Sequence, residues 1–249
     1  MRTLAVLNHM IANCTACPRL VTYRRAVALA KRRQFMDWTY WGRPVPGFGD
    51  PAARLYVLGL APAAHGGNRT GRIFTGDRSG DWLYEALHRY GFANQASSTH
   101  RDDGLALKDC YIGATVRCAP PDNKPAPDEF ERCRRFLHDE LRLLTRKRVV
   151  VALGKIAFDH YLKTCQTQGF AVPSPLPRFG HGAVYRLSWG VTLLGSYHPS
   201  QQNTFTGKLT RSMFHAVFSR ARRELHRKAP HARATPTFVL ARPSRQETS

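Results

Sequence analysis

Arg54-Leu-Tyr-Val-Leu-Gly-Leu60 is a short apolar run that opens into the Gly-rich segment Ala61–Gly80. Turn signals on both sides of so short a run read as a buried strand. Asp81–Tyr90 follows with Leu83, Leu87 and Tyr90 at helical spacing. Outward from this unit the pattern repeats. Cys110–Thr115 reads as a second strand, and Asp128–Leu144 as an amphipathic helix with Phe130, Cys133, Leu137, Leu141 and Leu144 on one face. Arg148–Leu153 is a third strand, followed by a helix from about Ile156 to Leu162. Val191–Tyr197 is a fourth, running straight into His198-Pro199-Ser200. Strands alternating with helices predict an α/β fold whose parallel sheet is covered on both faces. The loops after Leu60, Thr115 and Tyr197 would all leave strand carboxyl ends, where ligands of such sheets bind.

The flanks are of different character. Residues 5–33 read as two short helices around Cys14-Thr-Ala-Cys17, the second of them basic. Trp41–Pro51 is rich in Gly, Pro and aromatics and reads as an ordered loop. Lys208–Leu225 reads as a last basic helix. Residues 226–249 lack periodicity and read as a basic disordered tail. With 249 residues and 43% hydrophobic content, the expectation is one domain over residues 1–225 and no second compact unit.

Charge narrows the partner. The chain has 38 Lys and Arg against 17 Asp and Glu, a net charge of +21. Such an excess calls for an acidic partner, and a nucleic-acid backbone is the usual one. A membrane surface is disfavoured, because no lone basic amphipathic segment carries an aromatic face. No transmembrane run is present, and the apolar stretch Leu4–Leu7 is too short for a secretory signal, so an intracellular, cytoplasmic setting is expected.

In a reducing compartment the six cysteines are ligands or buried thiols rather than disulfides. Cys14 and Cys17 have C-x2-C spacing, and Cys118 and Cys133 form a second pair, C-x14-C. Four thiolates suit tetrahedral zinc or a [4Fe–4S] cube, and the spacing leaves both open. A zinc ribbon would usually close with a second C-x2-C, which is absent. Cys110 and Cys165 read as buried structural thiols.

Three further segments stand out. They are Gly59-Leu-Ala-Pro-Ala63 continuing through Gly71-Arg-Ile-Phe74-Thr-Gly-Asp77, then Arg117-Cys-Ala-Pro-Pro-Asp-Asn123, then His198-Pro-Ser-Gln-Gln-Asn203-Thr204. With the four cysteines, in this order, the chain strongly resembles the uracil-DNA glycosylase superfamily over roughly residues 10–225, and within it family 5, the type B enzymes with a [4Fe–4S] cluster. The resemblance implies a three-layer α/β/α fold with a central four-stranded parallel sheet. It implies excision of uracil from DNA, and a structural cluster on Cys14, Cys17, Cys118 and Cys133. It also implies wider acceptance of altered bases such as hypoxanthine. Where family 1 has a water-activating Asp in GQDPY this chain has Ala61, where family 4 has the Glu of GEAPG it has Leu60, and the Asn that reads uracil's edge elsewhere is Ala114. Family 5 shows these same gaps.

Glycosidic cleavage needs a donor at the departing base, a carboxylate near the sugar or its water, and a surface that stacks the flipped base. The resemblance places His198 against O2 of the base. Asp77, the only acid in the Ala61–Gly80 loop, is the carboxylate, with Ser79 or Asp81 expected to cap the next helix in its stead. Phe74 stacks the base; Gly59 and Ala61 line its pocket; Asn123 contacts base or water in partial compensation for Ala114. Asn203 supports the His198 loop or contacts the bound base, and Ser200, with Gln201 and Gln202, lies where the family enters the minor groove. No motif supplies a catalytic lysine, and Gly154-Lys155-Ile156 is no phosphate loop, so a monofunctional enzyme without nucleotide cofactor is expected, acting as a monomer on nucleoid DNA of a prokaryote. Arg24, Arg25, Arg32, Arg33, Arg220, Arg222 and Arg223 are candidate phosphate contacts. The competing readings are a non-catalytic basic nucleic-acid-binding module holding a metal or cluster, and a nucleoside or nucleotide hydrolase; the net charge favours a polymer over a free nucleotide.

Overall fold

The computed structural model describes residues 3–227. Its centre is a sheet of four parallel strands, β2 (Leu55–Gly59), β3 (Cys110–Ala114), β4 (Val149–Leu153) and β6 (Thr192–Ser196). Every residue of all four is buried. That is why they are continuous apolar runs without alternation: a sheet covered on both faces has no wet side. The strands lie in step, Leu55 beside both Cys110 and Val149, and Val149 beside Thr192.

Two short antiparallel edges were not expected from the sequence. β1 (Phe48–Gly49) pairs with β3, and β5 (Val184–Arg186) pairs with β6, giving the order β1-β3-β2-β4-β6-β5. Two and three part-exposed residues are too few to show a period, and β1 sits inside the Gly/Pro-rich loop.

Alternate residues of each strand point to opposite layers. Tyr56, Leu58, Val150, Ala152 and Leu193 share a core with α1 (Leu4–Ala12), α2 (Pro18–Ala30), α5 (Pro127–Leu143) and α6 (Lys155–Thr167). Leu55, Val57, Val149, Val151 and Leu194 pack with α4 (Arg78–Arg89) and α8 (Arg211–His226). The result is the three-layer α/β/α arrangement. α8 begins three residues later than the sequence suggested, where Thr210 accepts the Met213 amide at 3.3 Å. His226 ends α8, so the predicted tail falls, beyond Arg227, outside the described residues. Among the described residues no helix is long and apolar enough to cross a membrane.

From β2 the chain passes to β3 on one side and then to β4 on the other. This reversal opens a crevice at the carboxyl end of β2. The short helices α3 (Gly67–Thr70) and α7 (Gln201–Phe205) belong to the loops that leave β2 and β6 at that edge.

Candidate active site and four-cysteine pocket

The loop after β2 is built to present Asp77. Phe74 takes a left-handed backbone (φ 53°), as does Gly76 (φ 74°), so the chain turns sharply into α4. Gly80 lets the first turn of α4 lie on the Phe74 carbonyl, since a Cβ there would come within 1.8 Å of that oxygen. Asp77 is thereby the N-cap of α4, accepting the Gly80 amide at 3.1 Å. This corrects the expectation that Ser79 or Asp81 would take the cap and leave Asp77 free. The capping oxygen is Oδ1. Oδ2 lies against Gly66, where a Cβ would stand 2.2 Å away, so only glycine leaves room for the carboxylate. Desolvation raises the Asp77 pKa to about 6, against the lowering effect of the Gly80 and Ser79 amides and of Arg69. Arg69 itself is held between Phe35 and Trp38, 3.7 and 4.1 Å from their ring centroids, and donates to the Gly76 carbonyl at 3.0 Å.

His198 follows β6 on the same edge of the sheet. Burial lowers its pKa to about 4, so the imidazole is neutral at ordinary pH. Among the described residues none hydrogen-bonds its ring nitrogens. The Asn203 amide donates to the His198 carbonyl at 2.9 Å, which fixes the loop. His181 accepts the Tyr197 amide at 3.1 Å and so steadies the residue before His198.

Phe74 and His198 face each other with ring centroids 5.8 Å apart and planes at 30°. A base between them would need two stacking gaps of about 3.5 Å each. The rings are too close for that. Phe74 also packs on Gly59, where a Cβ would come within 2.7 Å of the ring. Phe74 is also a member of the core beneath α4, only 6% exposed. Ala61 is part-buried beside the opposite core, and Ser200 is the part-exposed residue preceding α7. Asn123 is on the loop leaving β3, exposed and left-handed (φ 57°); its side chain reaches no partner among the described residues, and its loop leaves the same edge of the sheet as the loops of Asp77 and His198.

The four expected cysteines line one pocket with Leu20, Pro44, Val116 and Phe136. Two joints hold it. Arg19, two residues after Cys17, pairs with Glu129 at 2.7 Å, and Glu129 also accepts the Ala126 amide that opens α5. Arg132 donates to the Ala16 carbonyl at 3.2 Å. Burial, and secondarily the neighbouring thiols, push Cys118 up to about 12 and Cys133 to about 11; Arg24 and Arg117 oppose this. Among the described residues no three His, Cys, Asp or Glu side chains converge tightly enough to hold a single metal ion. Cys110 and Cys165 are buried, as expected.

The sequence profile of the Uracil DNA glycosylase superfamily matches residues 46–225. This chain belongs to that family. It is 53% identical to a type-5 uracil-DNA glycosylase of Mycobacterium tuberculosis over 222 residues, covering 89% of this chain and 81% of that one. It is 51% identical to a type-5 enzyme of Thermus thermophilus, covering 84% and 93%. A type-4 uracil-DNA glycosylase of Thermotoga maritima is 27% identical over 64% of this chain and 66% of its own. Membership in the glycosylase family therefore runs to its type-5 branch.

Within this glycosylase-family chain one group of cations needs correction. Arg24 is 2% exposed; it donates to the carbonyls of Gly42 and Cys14 and its own carbonyl accepts from Asn68. It ties the cysteine pocket to the Asp77 loop and is no phosphate contact. Arg220 is spent on Glu224 at 2.9 Å, whereas Arg25, Arg32, Arg33 and Arg223 are exposed. Arg69, close to Asp77, was missed by sequence reasoning, whereas Gly66 is one of the loop glycines, with Gly59, Gly67, Gly71 and Gly76, that the sequence offers for close approach of the backbone.

Proposed function

We propose that this chain is a monofunctional uracil-DNA glycosylase that opens base excision repair, acting as a monomer on DNA. It hydrolyses the bond between uracil and deoxyribose and accepts other deaminated bases such as hypoxanthine. One observation carries the chemistry: the loops at the carboxyl edge of the sheet carry a desolvated carboxylate, Asp77, and a neutral imidazole, His198, that lies against the ring of Phe74. A binding module has no use for a carboxylate desolvated at the expense of stability.

The flipped base stacks on Phe74, whose face tolerates different bases. Neutral His198 donates an N–H to O2 as negative charge collects on the departing pyrimidine. Asp77, ionised above pH 6, faces the cation-like sugar and orients or deprotonates the attacking water. Asn123, on the loop after β3 at the same edge, contacts the water or the base. The product is a free base and an abasic site.

The donor set fits an iron–sulfur cluster. Four thiols lining one pocket are the number that a [4Fe–4S] cube takes, and the second C-x2-C with which a zinc ribbon usually closes is absent. Cys14, Cys17, Cys118 and Cys133 would hold it, and binding would release the protons that burial keeps on the thiols. When bound, the cluster supplies structure, bracing α2 against α5, and takes no part in cleavage.

The test is a labelled duplex with one uracil, incubated with protein and then treated with alkali. Cutting at the lesion only after alkali is expected for wild type, with strong loss in Asp77→Ala and His198→Ala. Cleavage without alkali, or no release of base by protein that contains iron and sulfide, would defeat the proposal.

A further inference from the structure

Arg24 and Arg117 are 2% and 1% exposed, and both stand against the four-cysteine pocket. Neither has its donors filled. Arg117 gives one nitrogen to Glu140 at 2.8 Å, while its Nε and Nη1 are buried and meet no acceptor. Arg24 gives its two terminal nitrogens to the Gly42 and Cys14 carbonyls, and its Nε is likewise buried and unmet. A buried N–H without an acceptor opposes folding, so three of them beside one pocket call for a bound group. Sulfur is close to both side chains. Arg24 faces the Cys118 thiol, and no carboxylate among the described residues pairs with it. Arg117 immediately precedes Cys118, and its backbone amide donates to Cys133 Sγ at 3.3 Å. The other two cysteines have arginines as well. Arg135 donates to Cys14 Sγ at 3.5 Å, and Arg132, which lines the pocket, lies near Cys17. Each cysteine thus has its own arginine, and two of the four are sealed from water.

We infer that Arg24 and Arg117 are the counterions of the group held by the four cysteines: their unmet N–H groups donate to its sulfur atoms, and their charge offsets the net negative charge of four thiolates on an iron–sulfur cube. The inference rests on the cluster reading and adds to it two residues that are not ligands. Arginine suits the task because its charge is permanent and its fork carries several donors on one side chain. Positive charge and donation to sulfur both favour the more reduced, more negative state, so these side chains hold the reduction potential up. The effect is strong where water is excluded and weak for exposed Arg132 and Arg135, which salt screens. Water trapped beside the buried guanidinium groups would satisfy the same N–H groups but leave the sulfur atoms untouched.

The experiment uses protein purified without oxygen, with its iron and sulfide intact. Arg24→Gln, Arg24→Lys and a double variant, Arg117→Gln with Glu140→Gln, are compared with wild type. The double variant removes both charges of the ion pair, so no lone carboxylate is left buried. Midpoint potentials come from spectroelectrochemical titration, and Fe–S stretching bands from resonance Raman spectra in light and heavy water. Arg24→Gln should lower the potential by about 59 mV or more, a tenfold drop in the ratio of reduced to oxidised cluster at a fixed potential. Arg24→Lys keeps the charge and should recover most of that shift. The double variant leaves the net charge unchanged and should lower the potential by less, while the heavy-water displacement of its Fe–S bands shrinks. Potentials and bands unmoved in all three variants, whatever their melting temperatures, would overturn the assignment and leave the arginines as structural ties. Wild type that carries no iron and sulfide would instead sink the cluster reading, and this inference with it.

Discussion

Asp77 uses one carboxyl group for two purposes, and the two pull stability in opposite directions. As N-cap it stabilises α4 by about 1 kcal/mol. As a desolvated acid it opposes folding. Its pKa is about 6 in the folded chain against 3.8 for the free side chain. Between those values the unfolded state is ionised while the folded state still holds its proton, so stability falls as pH rises through the window. The loss at neutral pH is on the order of 2–3 kcal/mol. Asparagine keeps the cap and cannot ionise. Asp77→Asn is therefore expected to melt at a higher temperature than wild type at pH 7.5, with little difference at pH 4, while kcat drops by about 10²–10⁴-fold. Scanning calorimetry at the two pH values checks the first part and single-turnover excision the second; a melting temperature lowered at pH 7.5 would mean that the carboxylate is not desolvated. The wild-type rate should climb through pH 6 and then level. His198, with its pKa lowered to about 4, adds no step above pH 5, and its own contribution to stability is lost only as pH falls from 6.5 towards 4.

At the level of elements, the fold was legible where physics acts on long apolar runs. Four buried strands and the helices between them follow from composition, because burial on both faces admits only apolar residues. What stayed hidden was decided by a few backbone angles or by three-dimensional neighbours. Asp77, Ser79 and Asp81 are all sound caps by type, and only the left-handed turn at Phe74 selects among them. Arg24 reads as one more cation of a basic helix, yet it stands four residues after buried Leu20 and shares its face. The cysteines were legible as a set, but the joint that aligns them was not. Glu129 is 2% exposed and serves both Arg19 and the Ala126 amide, so it links the helix after Cys17 to the helix of Cys133. Removing it in Glu129→Ala should cost about 1 kcal/mol, mostly through the lost cap, because Arg19 is half-exposed and its ion pair is screened. If the pocket holds the proposed cluster, the larger effect should be on retention of iron: its visible absorbance should bleach several times faster in air than in wild type, and equal bleaching rates would show that the joint does not brace the pocket.

For the whole molecule, the internal ion pairs sharpen what the net charge of +21 means. The acids are largely committed: Glu129 to Arg19, Glu140 to Arg117, Asp103 to Arg72, Asp109 to Arg54, and Glu224 to Arg186 and Arg220. The cations left over are surface groups such as Arg25, Arg32 and Arg33, the last two leading into the Phe35–Trp38 segment that clasps Arg69 beside the Asp77 loop. If DNA is held there, each cation that touches a phosphate releases counterions when the complex forms. With about five such contacts, the affinity for undamaged duplex should fall about 10²–10³-fold between 50 and 200 mM salt, a log–log slope of about −4 to −5. Arg32→Ala and Arg33→Ala should each flatten that slope by about one, with melting temperature preserved. Arg24→Ala is the contrasting case. It removes a buried guanidinium from the Gly42 and Cys14 carbonyls and should lower stability without changing the slope. Fluorescence anisotropy over a salt series separates the two behaviours. A slope unmoved by Arg32→Ala and Arg33→Ala would place the bound duplex on another face.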